Sequence, residues 1–96
     1  MLISVVIPCY YSEKTICKVV ELVMAEFEKN DGYECEFVLV NDGSTDHTFE
    51  EIQKLGAQYP NVCGVNLMRN FGQHNAPMAA LHYAKGDYVL GMDDDL

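Results

Sequence analysis

Apolar residues along this chain fall into two alternating patterns, unbroken runs and stripes at helical spacing. Leu2 to Ile7 is a run rich in β-branched side chains, as suits a strand covered on both faces of a parallel sheet, and Pro8 closes it. Ser12 is placed to cap the helix that comes next. In that helix Ile16, Val19, Val20, Val23, Met24 and Phe27 recur on one face until Asn30, Asp31 and Gly32 interrupt them. The pair then repeats. Phe37 to Val40 is a second buried run, broken by Asn41-Asp42-Gly43, and Ser44 or Thr45 caps a helix marked by Phe49, Ile52, Leu55 and Tyr59. A third strand spans Val62 to Leu67 and leads into a polar stretch, Arg69 to Asn75, without a clear period. Ala76, Ala79, Ala80, Tyr83 and Ala84 form a third stripe, with Pro77 in its first turn and Lys85-Gly86 at its end. Tyr88 to Met92 reads as a last buried strand.

Strands and helices that alternate at these lengths predict an α/β fold, a Rossmann-like parallel sheet with helices on both faces and right-handed crossovers. With strand order 3-2-1-4 the winding reverses between strands one and four, and a crevice opens beside their carboxyl ends. That order gathers the ends of strands one, two and four at one edge. Pro8-Cys9-Tyr10-Tyr11, Asn41-Asp42-Gly43-Ser44 and the residues beyond Met92 then line a single site.

The residues beyond Met92 are acidic: Asp93, Asp94 and Asp95 stand in a row before Leu96. Side chains alternate along an extended segment, so Asp93 and Asp95 point one way and Asp94 the other. Carboxylates crowded behind an apolar strand call for a cation. A hard divalent ion such as Mg²⁺ or Mn²⁺ takes oxygen ligands and is usually held by one or two carboxylates together with substrate phosphates. The implied ligand is a phosphate ester.

Composition narrows the picture further. At 96 residues the chain is shorter than a usual doubly wound nucleotide-binding domain, so residues 1–96 are expected to form one portion of a larger catalytic unit. Fifteen acids against six basic residues give a net charge of −9, which argues against nucleic acid or an anionic surface as a broad partner. The four cysteines, Cys9, Cys17, Cys35 and Cys63, show no C-x-x-C pair and no zinc spacing, and read as free thiols in a reducing, cytoplasmic setting. No apolar run approaches the roughly 20 residues that span a bilayer.

Four segments in order carry a family resemblance. Val5-Val6-Ile7-Pro8-Cys9-Tyr10, Val40-Asn41-Asp42-Gly43-Ser44-Thr45-Asp46, Arg69-Asn70-Phe71-Gly72-Gln73-His74 and Met92-Asp93-Asp94-Asp95-Leu96 together resemble the family-two glycosyltransferases of the A-type fold. The Asn-Phe-Gly-Gln element and the acidic ending are most similar to the branch that loads a sugar onto a polyprenyl phosphate, of the dolichyl or undecaprenyl type. The resemblance implies that this stretch binds a nucleotide sugar, a UDP-sugar by family habit, while a second half supplies the acceptor site. By the same resemblance Pro8 and Tyr10 line the nucleoside pocket and Asp42 accepts a hydrogen bond from the base. Asp42 is equally natural as an Asp-Gly turn residue. Arg69 is a diphosphate partner or a brace for its loop, and Gly72 admits the donor close to the backbone or serves a turn. Asp93 and Asp95 match the family's Asp-x-Asp metal pair, which also marks them as the catalytic acids, with Asp94 facing substrate; an alternative register uses Asp94 and Asp95. The family commonly carries Asn where this chain has Tyr11.

The implied activity is an inverting transfer from a nucleoside-diphosphate sugar with divalent metal assistance, the acceptor being a membrane lipid phosphate at the cytoplasmic face. Rival readings are a sugar-nucleotide nucleotidyltransferase, a phosphate-receiver domain or a non-catalytic nucleotide-binding module. The first would show a Gly-rich basic loop after strand one, and Pro8-Cys9-Tyr10-Tyr11 has neither glycine nor positive charge. A receiver does not suit three acids on its last strand. Classical dinucleotide binding lacks its G-x-G-x-x-G. An uncovered sheet edge makes homo-oligomers a further expectation.

Overall fold

The computed structural model describes residues 1–30, 32–43, 46–67 and 83–92, the side chains of Asp42 and Leu67 excepted. Its elements are β1 (Leu2–Cys9), α1 (Ile16–Glu28), β2 (Glu34–Asp42), α2 (Thr48–Gln58), β3 (Val62–Leu67) and β4 (Tyr88–Gly91). All three strand pairings are parallel, and the four-stranded sheet has the order β3-β2-β1-β4. The expected order 3-2-1-4 is therefore the observed one.

The strand interiors arise from their apolar runs. Val5, Ile7 and Cys9 of β1 and Phe37 and Leu39 of β2 share one face, where Ile16, Val19 and Val20 of α1 and Ile52 and Leu55 of α2 cover them. Two successive crossovers in the same direction across a sheet put both helices on the same side, which is where these two lie. Val6, Val38, Val40 and Val65 form a second cluster from the strand positions of opposite parity. Phe37 is fully buried at the centre of the larger cluster. Its truncation to alanine would cost about 3–5 kcal/mol. Gly64 lets α2 lie close to β3, since a β-carbon there would stand 2.7 Å from the Ile52 side chain.

Element ends differ from the sequence expectation, each for a local reason. Pro8 does not stop β1, which continues to Cys9 in register with Asn41. The carbonyls of Leu2 and Val6 accept from Asp87 N and Met92 N, which flank β4, so the backbone groups of even-numbered residues of β1 face that strand, and among the described residues β4 pairs with β1 as far as Val6. The N–H that Pro8 lacks falls beyond the pairing seen among the described residues. β2 begins at Glu34, three residues before its apolar run, because Glu34, Cys35 and Glu36 pair with Leu2, Ile3 and Ser4.

Ser12 does not cap α1. Its carbonyl accepts from Thr15 N (3.1 Å) and Ile16 N (3.0 Å), making a turn that delays the helix until Ile16, with Thr15 at the N-cap. β4 is also unlike the buried strand its sequence suggested. Tyr88, Val89 and Leu90 are 59%, 48% and 46% exposed, because among the described residues β4 pairs with β1 alone and forms the sheet edge. In the third helical stripe, Ala76, Ala79 and Ala80 lie outside the described residues. Tyr83 and Ala84 stand in a turn and an irregular stretch before β4. No described helix is long and apolar enough to cross a membrane.

Candidate functional site

The carboxyl ends of β1 and β2 lie side by side, and their register fixes what meets there. Cys9 is paired with Asn41 and Asp42 with Leu67, so the loops that leave β1 after Cys9 and β2 after Asp42 start as neighbours. This is the edge at which open α/β sheets take ligands. Pro8 is half-buried in the last turn of strand, while Tyr10 and Tyr11 are about half exposed on the loop beyond it. Their rings meet edge to face, with centroids 4.6 Å apart and planes at 85°. Tyr10 thus presents an aromatic ring at the edge where the nucleoside pocket was expected. Tyr11 has φ of 51°, the left-handed region that asparagine enters readily and a bulky residue does not.

On β2, Asn41 is buried and donates from Nδ2 to Asn66 Oδ1 (2.9 Å), tying the ends of β2 and β3. Asp42 is the final residue of β2, and Gly43 comes after it with φ of 76°. That positive φ shows that the Asn-Asp-Gly segment turns sharply at Gly43, as an Asp-Gly pair predicts.

A chain of hydrogen bonds joins the two loops, and sequence reasoning missed it. Ser12 N donates to Thr48 Oγ1 (2.9 Å), and Thr48 Oγ1 in turn donates to Asp46 Oδ1 (2.6 Å), which also accepts from Thr48 N (3.0 Å). Asp46 thus holds the first residue of α2 through both its N–H and its hydroxyl, and the helix begins at Thr48, with His47 at its N-cap, rather than directly behind Ser44 or Thr45. Thr48 is fully buried and serves both loops at once. An Asp-x-Thr at a helix start was the available signal; the partner Ser12, 36 residues away, left no trace in the sequence. Because its backbone serves Thr48 and the α1 turn, Ser12 keeps a buried hydroxyl with no partner among the described residues.

Among the described residues His47, Cys17 and Cys35 titrate away from their ordinary values. His47, at the start of α2, is held above the usual histidine range first by its hydrogen bond to Glu50 (3.1 Å) and then by the charges of Glu50, Glu13 and Asp46. Burial pushes the Cys17 and Cys35 thiols up, with Glu21 adding to the effect at Cys17, so both stay protonated at neutral pH. All four cysteines are thiols outside any disulfide. A groove of about 270 Å³ between the end of α1 and the start of β2, lined by Phe27, Tyr33 and Cys35 among others, opens at the amino ends of the strands, away from this edge.

Of the predicted site residues, the structure thus brings Pro8, Tyr10 and the backbone of Asp42 to one edge. Arg69, Gly72, Asp93, Asp94 and Asp95 lie outside the described residues. Among the described residues no group of three or more His, Cys, Asp or Glu could hold a metal ion, so a cation would depend on the acids beyond Met92. The backbone leads to them: Met92 N donates to Val6 O (3.0 Å), one strand from Pro8 and two residues before it, and Asp93 is next along the chain. Three adjacent carboxylates are the right donor chemistry for Mg²⁺ or Mn²⁺.

Comparison with known proteins gives this arrangement a setting. The undecaprenyl-phosphate 4-deoxy-4-formamido-L-arabinose transferase of Edwardsiella ictaluri is 41% identical over 96 residues, covering 98% of this chain and 29% of its own length. The prophage bactoprenol glucosyl transferase homolog of Escherichia coli is 38% identical and covers 100% of this chain and 31% of itself. Among solved structures, S. aureus TarS 1–349 in complex with UDP-GlcNAc superposes with a TM-score of 0.80 at 34% identity, over 99% of this chain and 27% of that one. The chain spans less than a third of the length of each of these relatives. The family model described as glycosyl transferase family 2 matches residues 4–96, and the chain belongs to that family.

Proposed function

We propose that residues 1–96 are the nucleotide-sugar-binding portion of an inverting glycosyltransferase that moves a sugar from a UDP-sugar to a polyprenyl phosphate at the cytoplasmic face of a membrane. The observation that carries this reading is the register of Cys9 with Asn41, which sets the Pro8-Tyr10 loop beside Asp42 at the carboxyl edge of a family 2 chain. The names of the relatives in E. ictaluri and E. coli support the lipid-phosphate acceptor, and the UDP-GlcNAc complex of TarS supports uridine.

In this reading the Tyr10 ring offers a face to the base or ribose, Pro8 shapes the floor beneath it, and Asp42 accepts from a ring N–H of the base. Arg69 pairs with a diphosphate oxygen through its planar fork, and Gly72 lets the backbone approach the donor. Asp93 and Asp95 would hold a divalent cation, Mg²⁺ or Mn²⁺, and Asp94 would contact the substrate. The cation supplies compensation for the negative charge that grows on the leaving nucleoside diphosphate. An acceptor phosphate oxygen attacks the anomeric carbon from the face opposite the leaving group; the new C–O bond forms as the bond to the diphosphate breaks. The acceptor is already an anion, so this chain need not supply a base.

Calorimetric titration of UDP and GDP into the protein, with and without Mn²⁺, tests the proposal. Metal-dependent UDP binding that the Asp93→Asn, Asp95→Asn double variant loses is the expected result. GDP binding alone would replace uridine by guanosine. No nucleotide binding by a chain that melts cooperatively would overturn the donor-site assignment.

A further inference from the structure

β4 is the strand that leads to the acidic tripeptide, and none of its own four residues is buried, Met92 beyond it being partly buried against the larger cluster. It pairs with β1 over four residues only, from Ile3↔Tyr88 to Val6↔Gly91, and Tyr88, Val89 and Leu90 are all exposed. A strand gains a defined register when one face is buried and the other polar; a two-sided apolar strand at an edge has no such preference. A slip by one residue would exchange the faces of every side chain on it. Residues that continue β4 in an extended run would exchange faces with it.

The register is set instead at the entry to β4, by side chains from two other strands. Ser4 of β1 and Glu36 of β2 are direct partners in the sheet, on the same face. The Ser4 hydroxyl donates to Glu36 Oε2, and the same carboxylate oxygen accepts from Lys85 N at 2.6 Å. Gly86 N donates to Ser4 Oγ at 2.7 Å. One step on, Asp87 and Leu2 make two bonds to each other: Asp87 N donates to Leu2 O (2.7 Å), and Leu2 N donates to Asp87 Oδ2 (3.0 Å). Ser4 is fully buried, and a β-carbon on Gly86 would stand 2.6 Å from Ser4 Oγ and 2.7 Å from Ser4 N. Only glycine passes that point, and only with the Ser4 hydroxyl in place is its N–H satisfied. Hydrogen bonds to a charged carboxylate are stronger than neutral ones, so Glu36 is the anchor.

We propose that the Ser4–Glu36 pair is a register latch for β4, and that Glu36 is thereby a positioning residue for Asp93 and Asp95. The second clause rests on the donor-site reading above; the first does not. Glu36 is a half-buried carboxylate in the amino half of β2, and the Lys85 N–H that it accepts lies 49 residues away in sequence.

The test compares Glu36→Ala, Glu36→Gln and Ser4→Ala with the parent chain by amide hydrogen exchange and by Mn²⁺ titration, read from the electron paramagnetic resonance of the free ion. In Glu36→Ala the amides of Asp87 and Met92, which donate to β1, lose protection, while Phe37, whose N–H donates to Asn61 O, keeps it. Mn²⁺ affinity falls by roughly tenfold, the lower range for outer partners of metal ligands. Glu36→Gln retains an acceptor for Lys85 N and restores most of both signals. Ser4→Ala removes the Gly86 acceptor and gives the same pattern, and it decides the matter if Glu36→Ala does not fold. Unchanged protection of Asp87 and Met92 in folded Glu36→Ala or Ser4→Ala overturns the latch. Lost protection with unchanged Mn²⁺ affinity overturns its positioning role. A parent chain that binds no Mn²⁺, even with UDP, would remove the donor-site reading, and the exchange data would still decide the latch.

Discussion

Tyr11 occupies a backbone conformation with φ of 51° that costs an ordinary side chain about 1–2 kcal/mol. Part of this is returned by the edge-to-face contact with Tyr10, a kind of pair that contributes about 0.5–1.5 kcal/mol. Asparagine would relieve the strain and lose the ring. Tyr11→Asn should therefore leave stability within about 0.5 kcal/mol of the parent in urea melts, since the two terms nearly cancel. Tyr11→Val gives up the ring and adds a β-branched carbon in the left-handed region, and should lose about 1–2 kcal/mol. A Tyr11→Val chain as stable as the parent would mean that the loop turns elsewhere. The exchange of Asn for Tyr was legible in the sequence; its consequence was not, because nothing in a one-dimensional pattern shows which residue of a loop takes the positive φ.

The elements themselves were legible where burial is continuous and illegible where polar groups do the pairing. Val5 to Ile7 and Phe37 to Val40 announce strands because every residue in them is buried on one face or the other. Glu34 and Glu36 do not, yet they extend β2 by pairing with Leu2 and Ser4. Helix starts failed similarly: Ser12 looked like a cap, but its carbonyl makes a turn and its N–H goes to Thr48. That bond gives α2 a dual role, as a helix and as the tether of the β1 loop. Thr48→Val keeps the volume but strands the buried Ser12 N–H, and should cost about 1–3 kcal/mol in urea melts and weaken UDP binding. Asp46→Ala removes the acceptor of both Thr48 N and the Thr48 hydroxyl, and should cost about 1–3 kcal/mol. The start of α2 also carries a pH signature. His47 is raised by Glu50, so its contribution to stability is full below the ordinary histidine value of about 6.5 and is lost as pH rises through the higher folded value. A proton NMR titration should place the His47 midpoint above that value and should bring it down in Glu50→Gln.

At the scale of the molecule, strand order and parallel pairing emerge from the alternation of runs and stripes, whereas the state of the sheet edge does not. The run Tyr88 to Leu90 has the composition of an interior strand and the exposure of a surface one. Among the described residues its outer backbone edge has no strand partner, and it carries no lysine, proline or bulge of the sort that protects edges. Such an edge is a template for pairing with a second copy of the chain. Against this stands the net charge of −9, which makes two copies repel at long range. The two effects separate with salt, because repulsion is screened over about 8 Å at physiological ionic strength while backbone pairing and apolar contact are not. Sedimentation velocity should therefore show a monomer in dilute, low-salt buffer and a concentration-dependent dimer as salt is raised. Leu90→Lys, which places a charge on the edge strand without touching Ser4, Glu36 or the β1 loop, should abolish the dimer and leave the melting transition cooperative. Association that weakens with salt would mean that ion pairs rather than the β4 edge hold the copies together.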